Sequence, residues 1–254
     1  MFSAAERERI VLTAYDAGCR HFDTAPAYGD GLCEAEAGRI LTGRRHSVRL
    51  ATKFGIPASD LGGRSIPLYF LGKISRKIFS SSYGREYGLR DFSPKAAIHS
   101  VDQSLKRLRT DYIDYLFFHE PRHADDLQAA LEALEVLERL KREGKIRRFG
   151  LSARTSILLE AIRGGGPAME AVQFELSDES RELLNRLHSP LVVSCFGIIR
   201  HLTAGAPGTR LDFGSVITWF RTNYPGVMPL FASNRPSEIE RLGKVLSQPK
   251  GHTS

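Results

Sequence analysis

Tyr112-Ile-Asp-Tyr-Leu-Phe-Phe-His119 is a run of mostly apolar residues that closes on an imidazole and is followed at once by Glu120-Pro121. Two other stretches have the same form. Cys19-Arg-His-Phe-Asp23 closes on a carboxylate, with Thr-Ala-Pro-Ala-Tyr28-Gly just beyond it, and Val48-Arg-Leu-Ala-Thr-Lys53 closes on an amine before Phe-Gly55. Each reads as a short buried strand ending on an ionisable side chain, with turn residues after it. Strands of this kind, separated by helical patterns, build a parallel sheet. If that sheet curls into a barrel, the strand ends meet on one rim, where the chemistry of such folds sits.

Outward from these runs the alternation continues. Ser3–Ala17 has helical spacing (Ile10, Val11, Ala14) and stops at Gly18. Helices are expected at Glu34–Leu41, Pro94–Leu108 (capped by Ser93), Asp125–Glu143, Ile157–Arg163, Glu179–Leu187, Phe213–Asn223 and Ser237–Leu246. Strands are expected at Arg20–Ala25, Val48–Phe54, Tyr112–His119, Ile146–Ser152, Ala171–Leu176, Leu191–Phe196 and Val227–Ala232. The fold class is α/β, a (β/α)8 TIM barrel lacking its first β-strand, in a single domain over residues 1–254. One link breaks the rhythm: residues 56–92, rich in Tyr and Phe, form a rim loop far longer than the usual connection, read equally as a lid or as a packed insertion.

Composition narrows the function. The 254 residues are 42% hydrophobic and 26% charged, ordinary for a soluble domain with a sizeable core. The net charge, 36 − 29 = +7, is compatible with an anionic ligand. No dense basic run is interleaved with aromatics, so no nucleic-acid partner is expected. Three scattered cysteines (Cys19, Cys33, Cys195) suggest neither a disulfide framework nor a zinc knuckle, and fit a cytoplasmic location. No apolar stretch is long enough for a membrane helix, and no metal ligand set is seen.

Taken singly, the four polar groups have plain explanations. Asp23 could cap a turn, Tyr28 could be a turn aromatic, and His119 could be a satisfied core histidine. Lys53 is harder to dismiss, because lysine is almost never buried unpaired. Together they are an acid, a phenol, an amine and an imidazole at converging strand ends.

The ordered set of motifs resembles the aldo-keto reductase family. The matching text is His21-Phe-Asp-Thr-Ala-Pro-Ala-Tyr-Gly-Asp-Gly31 with Cys33-Glu-Ala-Glu-Ala-Gly38, Ala51-Thr-Lys-Phe-Gly55, Asp111–His119, Arg148-Phe-Gly-Leu-Ser152, Val172-Gln-Phe-Glu-Leu176 and Phe231-Ala-Ser-Asn-Arg-Pro-Ser-Glu-Ile239. It covers nearly the whole chain in family order. The resemblance implies NAD(P)H-dependent reduction of small aldehydes or ketones through a catalytic tetrad of Asp23, Tyr28, Lys53 and His119. Tyr28 would be the general acid, Lys53 would make its phenol more acidic, Asp23 would hold Lys53, and His119 would place the carbonyl.

The resemblance also implies a cofactor track: Asp23, Ser152 and Gln173 around the nicotinamide, Phe196 or Ser194 near its ring, and Ser233, Asn234 and Arg235 at the adenosine phosphate. NADPH is expected ahead of NADH, although Ala232, Glu238 and Leu242 depart from family members that carry lysine, arginine and asparagine there. Ala153 stands where the family commonly has asparagine. Relatives begin with a strand that this text lacks. A start further upstream, an inactive homologue, or closure by another segment or subunit would each account for that, and a non-catalytic nucleotide-binding sensor of the same fold is the alternative function. Substrate identity and oligomeric state are not legible.

Overall fold

The computed structural model describes residues 2–58, 90–167, 169–187, 191–203 and 212–247. The expected rim loop at 56–92 therefore lies almost wholly outside the described residues. The elements in chain order are α1 (Ala4–Asp16), β1 (His21–Asp23), α2 (Leu32–Leu41), a 3-10 turn (Thr42–Ser47), β2 (Arg49–Phe54), α3 (Pro94–Leu108), β3 (Ile113–His119), α4 (Ala124–Glu132), α5 (Leu134–Arg142), β4 (Ile146–Arg154), α6 (Thr155–Arg163), β5 (Ala171–Glu175), α7 (Ser180–Arg186), β6 (Val192–Phe196), α8 (Ile198–Leu202), α9 (Phe213–Asn223), β7 (Met228–Pro229) and α10 (Pro236–Ser247).

The seven strands are all parallel and pair in chain order, β1 to β7. Among the described residues β1 and β7 are the edges of a curled sheet. Its curl is set by contacts between elements far apart in the chain. A side chain on β5 hydrogen-bonds one on β1. Helices α1 and α10 pack so closely that a Cβ on Gly243 would lie 2.5 Å from that of Ala17.

Period-two alternation sorts the strand residues. Leu50, Phe54, Leu116, Phe118, Leu151 and Phe174 face the helices in the main core. Ala51, Tyr115, Phe117 and Ala171 form a separate cluster on the inner face. Above that cluster, toward the carboxyl ends, the inner positions become polar: Lys53, His119, Ser152, Gln173 and Ser194 are all buried. The inner wall is tight where β4 meets β5: a Cβ on Gly150 would fall 1.7 Å from the Ala171 carbonyl oxygen.

The helix starts follow from local chemistry. Ser3 and Glu6 make a reciprocal capping box at α1, and Ser93 accepts from the Ala96 amide ahead of Pro94 at α3. Glu34, fully buried, accepts from the Thr52 hydroxyl at 2.6 Å and from Arg107 Nε at 2.7 Å, joining α2 to β2 and α3.

Two expected elements differ and one is new. The helix over Asp125–Glu143 divides into α4 and α5 on either side of Ala133. The strand expected over Val227–Ala232 contracts to Met228–Pro229, because Pro229 has no amide to offer the ladder. Helix α8 was not anticipated; Gly197, in the left-handed region at φ 76°, turns the chain directly from β6 into it.

Candidate active site

Asp23, Lys53, His119, Ser152 and Gln173 lie at the carboxyl ends of β1 to β5 and project to the inner face. Lys53 is 1% exposed. Its Nζ donates to Asp23 Oδ2 at 2.5 Å and to the Thr24 carbonyl at 3.1 Å. The other oxygen of Asp23 accepts from Gln173 Nε2 at 2.9 Å, and Gln173 Oε1 in turn accepts from the Ser152 hydroxyl at 2.6 Å. One continuous chain of polar contacts therefore runs from Lys53 through Asp23 and Gln173 to Ser152. A buried ion pair is tolerated where its remaining lone pairs are satisfied in this way.

Tyr28 stands over this chain, in the turn between β1 and α2. Lys53 Nζ lies 4.9 Å from its ring centroid. The ring meets that of His119 edge-on, at 5.7 Å between centroids and 82° between planes. Tyr28 is 40% exposed, so its open side faces solvent. The phenol pKa is nonetheless raised above its ordinary value: burial on the inner side pushes it up, while the charge and hydrogen bond of Lys53 pull it down by less. The sequence led to the opposite net direction, because the lysine was legible there and the burial was not.

His119 is 4% exposed, and burial pushes its pKa down to about 2, helped by the nearby charges of Lys53 and Arg90. It is thus a neutral imidazole, with one N–H to donate.

Of the remaining residues singled out for a cofactor, Ser194 is buried beside Gln173 in the β5–β6 register, its hydroxyl 3.5 Å from the Val172 carbonyl. Phe196 ends β6, half-buried, on the wall of a cavity of about 220 Å³. Ser233 and Arg235 sit just ahead of α10. The Arg235 carbonyl accepts the amides of Glu238 and Ile239, so Arg235 holds the cap position before Pro236. Proline fits the first helical position because its missing N–H is not needed there. Ser233 donates to Glu238 Oε2 at 2.8 Å and Arg235 donates to Glu238 Oε1 at 3.0 Å.

Sequence reading missed Thr24, whose buried hydroxyl at the end of β1 has no partner among the described residues, and Arg90, which donates to the Glu120 carbonyl at 3.1 Å. Thr24 was legible as the polar residue following a strand-end acid; Arg90 carried no local signal. Among the described residues no group of three His, Cys, Asp or Glu side chains could hold a metal ion, and no helix is long and apolar enough to cross a membrane.

The parallel sheet curls as in a (β/α) barrel, with an aspartate, a lysine, a tyrosine and a histidine gathered at its carboxyl ends. The chain belongs to the aldo/keto reductase family, whose sequence model matches residues 1–190. It is 31% identical over 174 residues to the oxidoreductase YqkF of Bacillus subtilis, an alignment covering 68% of this chain and 48% of that protein. It is also 31% identical over 184 residues to the aldo-keto reductase yakc [NADP(+)] of Schizosaccharomyces pombe, covering 71% of this chain and 46% of that one. The chain thus spans about half the length of the curated relatives it matches.

Among solved structures, the holo form of an aldo-keto reductase from Bacillus halodurans superposes with a TM-score of 0.72 at 21% identity, over 97% of this chain and 83% of that one. An aldo/keto reductase from Klebsiella pneumoniae, solved with NADP and acetate, gives 0.67 at 20% identity, over 98% of this chain and 83% of that one. At these identities the likeness is one of fold.

Proposed function

We propose that the chain is an NAD(P)H-dependent oxidoreductase that reduces aldehydes or ketones to alcohols, with Tyr28 as general acid. The observation that carries this reading is the Lys53–Asp23 pair set beneath the Tyr28 ring, with His119 against the ring's edge. The raised phenol pKa keeps Tyr28 protonated at neutral pH, as a proton donor must be. The Lys53 ammonium favours the phenolate left after transfer, so the proton moves to the carbonyl oxygen as negative charge develops there. Asp23, gripped on its second oxygen by Gln173, fixes the position of Lys53. His119, held neutral, donates its single N–H to the same carbonyl oxygen and orients it toward Tyr28.

The polar groups present fit a nicotinamide dinucleotide. Among the described residues Ser152 retains acceptor lone pairs, Gln173 retains one amide hydrogen, and the buried Thr24 hydroxyl lacks a partner. Asp23, Ser152, Gln173, Ser194 and Phe196 would line the nicotinamide end, and Ser233, Asn234 and Arg235 the phosphate end. When bound, such a cofactor supplies the hydride, which no side chain can. NADPH is favoured over NADH by Arg235, whose guanidinium suits a 2′-phosphate.

The test follows NADPH absorbance over a panel of aldehydes and ketones. Tyr28→Phe is expected to lower kcat by about 10²–10⁴-fold, the usual worth of a general acid, while leaving NADPH affinity in place. Nucleotide binding without turnover by the unaltered chain would favour a sensor of the same fold.

A further inference from the structure

The 220 Å³ cavity beyond His119 opens among the ends of β3, β4, β5 and β6. Pro121, Ala153 and Phe196 give it apolar walls, and its charged groups are Glu120, Arg122, Arg154 and Glu175. These four are not equivalent. Glu120 Oε2 lies 3.4 Å from Arg90 Nη2, and the Glu175 carboxylate is held by Arg200. Each acid is thus answered by an arginine from outside the wall. Arg122 and Arg154 are exposed, and neither guanidinium has a hydrogen bond or ion pair to another side chain among the described residues. Asp126, an acid close by, accepts from the Arg122 backbone amide at 2.6 Å rather than from its guanidinium. Among the described residues the cavity wall therefore carries two guanidinium groups without a side-chain partner.

The backbone leads to the same place. Glu120 is in the left-handed region at φ 52°, which a residue with a side chain adopts at a cost, and such strain concentrates where function needs it. Its amide is pinned to the Ser152 carbonyl at 2.8 Å and its carbonyl to Arg90. That conformation turns the chain sharply after His119, setting Arg122 on the cavity wall. Like-charge proximity is also visible in Arg90, whose pKa is lowered by burial and then by Arg122.

We infer that Arg122 and Arg154 hold a carboxylate on the carbonyl substrate, so that the preferred substrates are oxo acids, with the carbon body against Pro121, the carbonyl toward His119 and Tyr28, and Phe196 left to the nicotinamide. This rests on the carbonyl-reductase reading and names its substrate class. Guanidinium groups suit the task because their planar N–H pairs match a carboxylate edge.

The experiment compares 4-carboxybenzaldehyde with its neutral methyl ester, and measures benzoate binding by calorimetry. In the unaltered chain the acid is expected to exceed the ester at least tenfold in kcat/KM. The double variant Arg122→Met/Arg154→Met should cut that ratio at least tenfold and abolish benzoate binding. Arg154→Lys, which keeps the charge but not the planar N–H pair, should retain part of the ratio. Thermal melts of each variant check that it is folded. A ratio near one in the unaltered chain, or a ratio unmoved by the double variant, overturns the inference. So does a weakened NADPH dissociation constant with an unmoved ratio, which would assign the arginines to a cofactor phosphate. Turnover of both aldehydes without benzoate binding rejects the carboxylate pocket alone. Benzoate binding that the double variant abolishes, with no turnover of either aldehyde, rejects the reductase reading and keeps the pocket.

Discussion

Lys53 Nζ rests 2.5 Å from Asp23 Oδ2, with side-chain exposures of 2% and 20%. The pair is local in space and 30 residues apart in the chain. Removing one partner strands the other charge in a largely dry site, which typically costs about 3–5 kcal/mol. Lys53→Met should therefore lose stability on that order in urea titrations, and the double variant Lys53→Met/Asp23→Leu should recover part of it. If the double variant is as unstable as the sum of the singles, the two groups are not coupled.

The neutral state of His119 makes stability depend on pH. Its pKa is about 2 in the folded chain, against about 6.5 when unfolded. Between those values the unfolded chain binds a proton that the folded chain refuses. The stabilisation is thus complete above about pH 6.5 and is lost as pH falls, by up to about 1.4 kcal/mol per pH unit. His21, half-buried and likewise lowered by desolvation, adds a loss of the same sign. His119→Gln should flatten the slope of unfolding free energy between pH 6 and 5 by about one proton's worth. Identical slopes in the two proteins would show that the imidazole takes up a proton in the folded state.

At the other end of the proposed cofactor track, Glu238 occupies both Ser233 and Arg235. A 2′-phosphate must compete with that carboxylate, whereas a ribose hydroxyl need not. Glu238→Gln should strengthen NADPH binding relative to NADH by about tenfold, the worth of one charge-assisted bond. Dissociation constants from quenching of intrinsic fluorescence read this directly, and an unchanged NADPH:NADH ratio would exclude the competition.

What the sequence disclosed and withheld divides along physical lines. Ser93-Pro94 announced α3 to the residue, because a cap and a first-turn proline act locally. Asp23, Lys53 and His119 stood out because each terminates an apolar run. The hydrogen bond from Gln173 to Asp23 could not be read, since it joins residues 150 apart and exists only once the sheet curls. The direction of the Tyr28 shift was misjudged for a related reason: a neighbouring charge is visible in a motif, while desolvation is a property of the assembled surroundings. Arg90 follows a stretch without periodic signal, so its reach to Glu120 had no trace in the text. The contraction of β7 was foreseeable from Pro229 alone.

The Asp23–Gln173–Ser152 connection also has a consequence in time. Tyr28 and Lys53 emerge from the ribosome long before Gln173, and until β5 docks nothing engages the second oxygen of Asp23. Contacts of such sequence separation form late, after the loop-closure entropy has been met. The carboxyl end of the sheet, where the proposed chemistry lies, is therefore among the last parts of the molecule to be born: on refolding, far-ultraviolet ellipticity should return first and the proposed carbonyl reduction only afterwards.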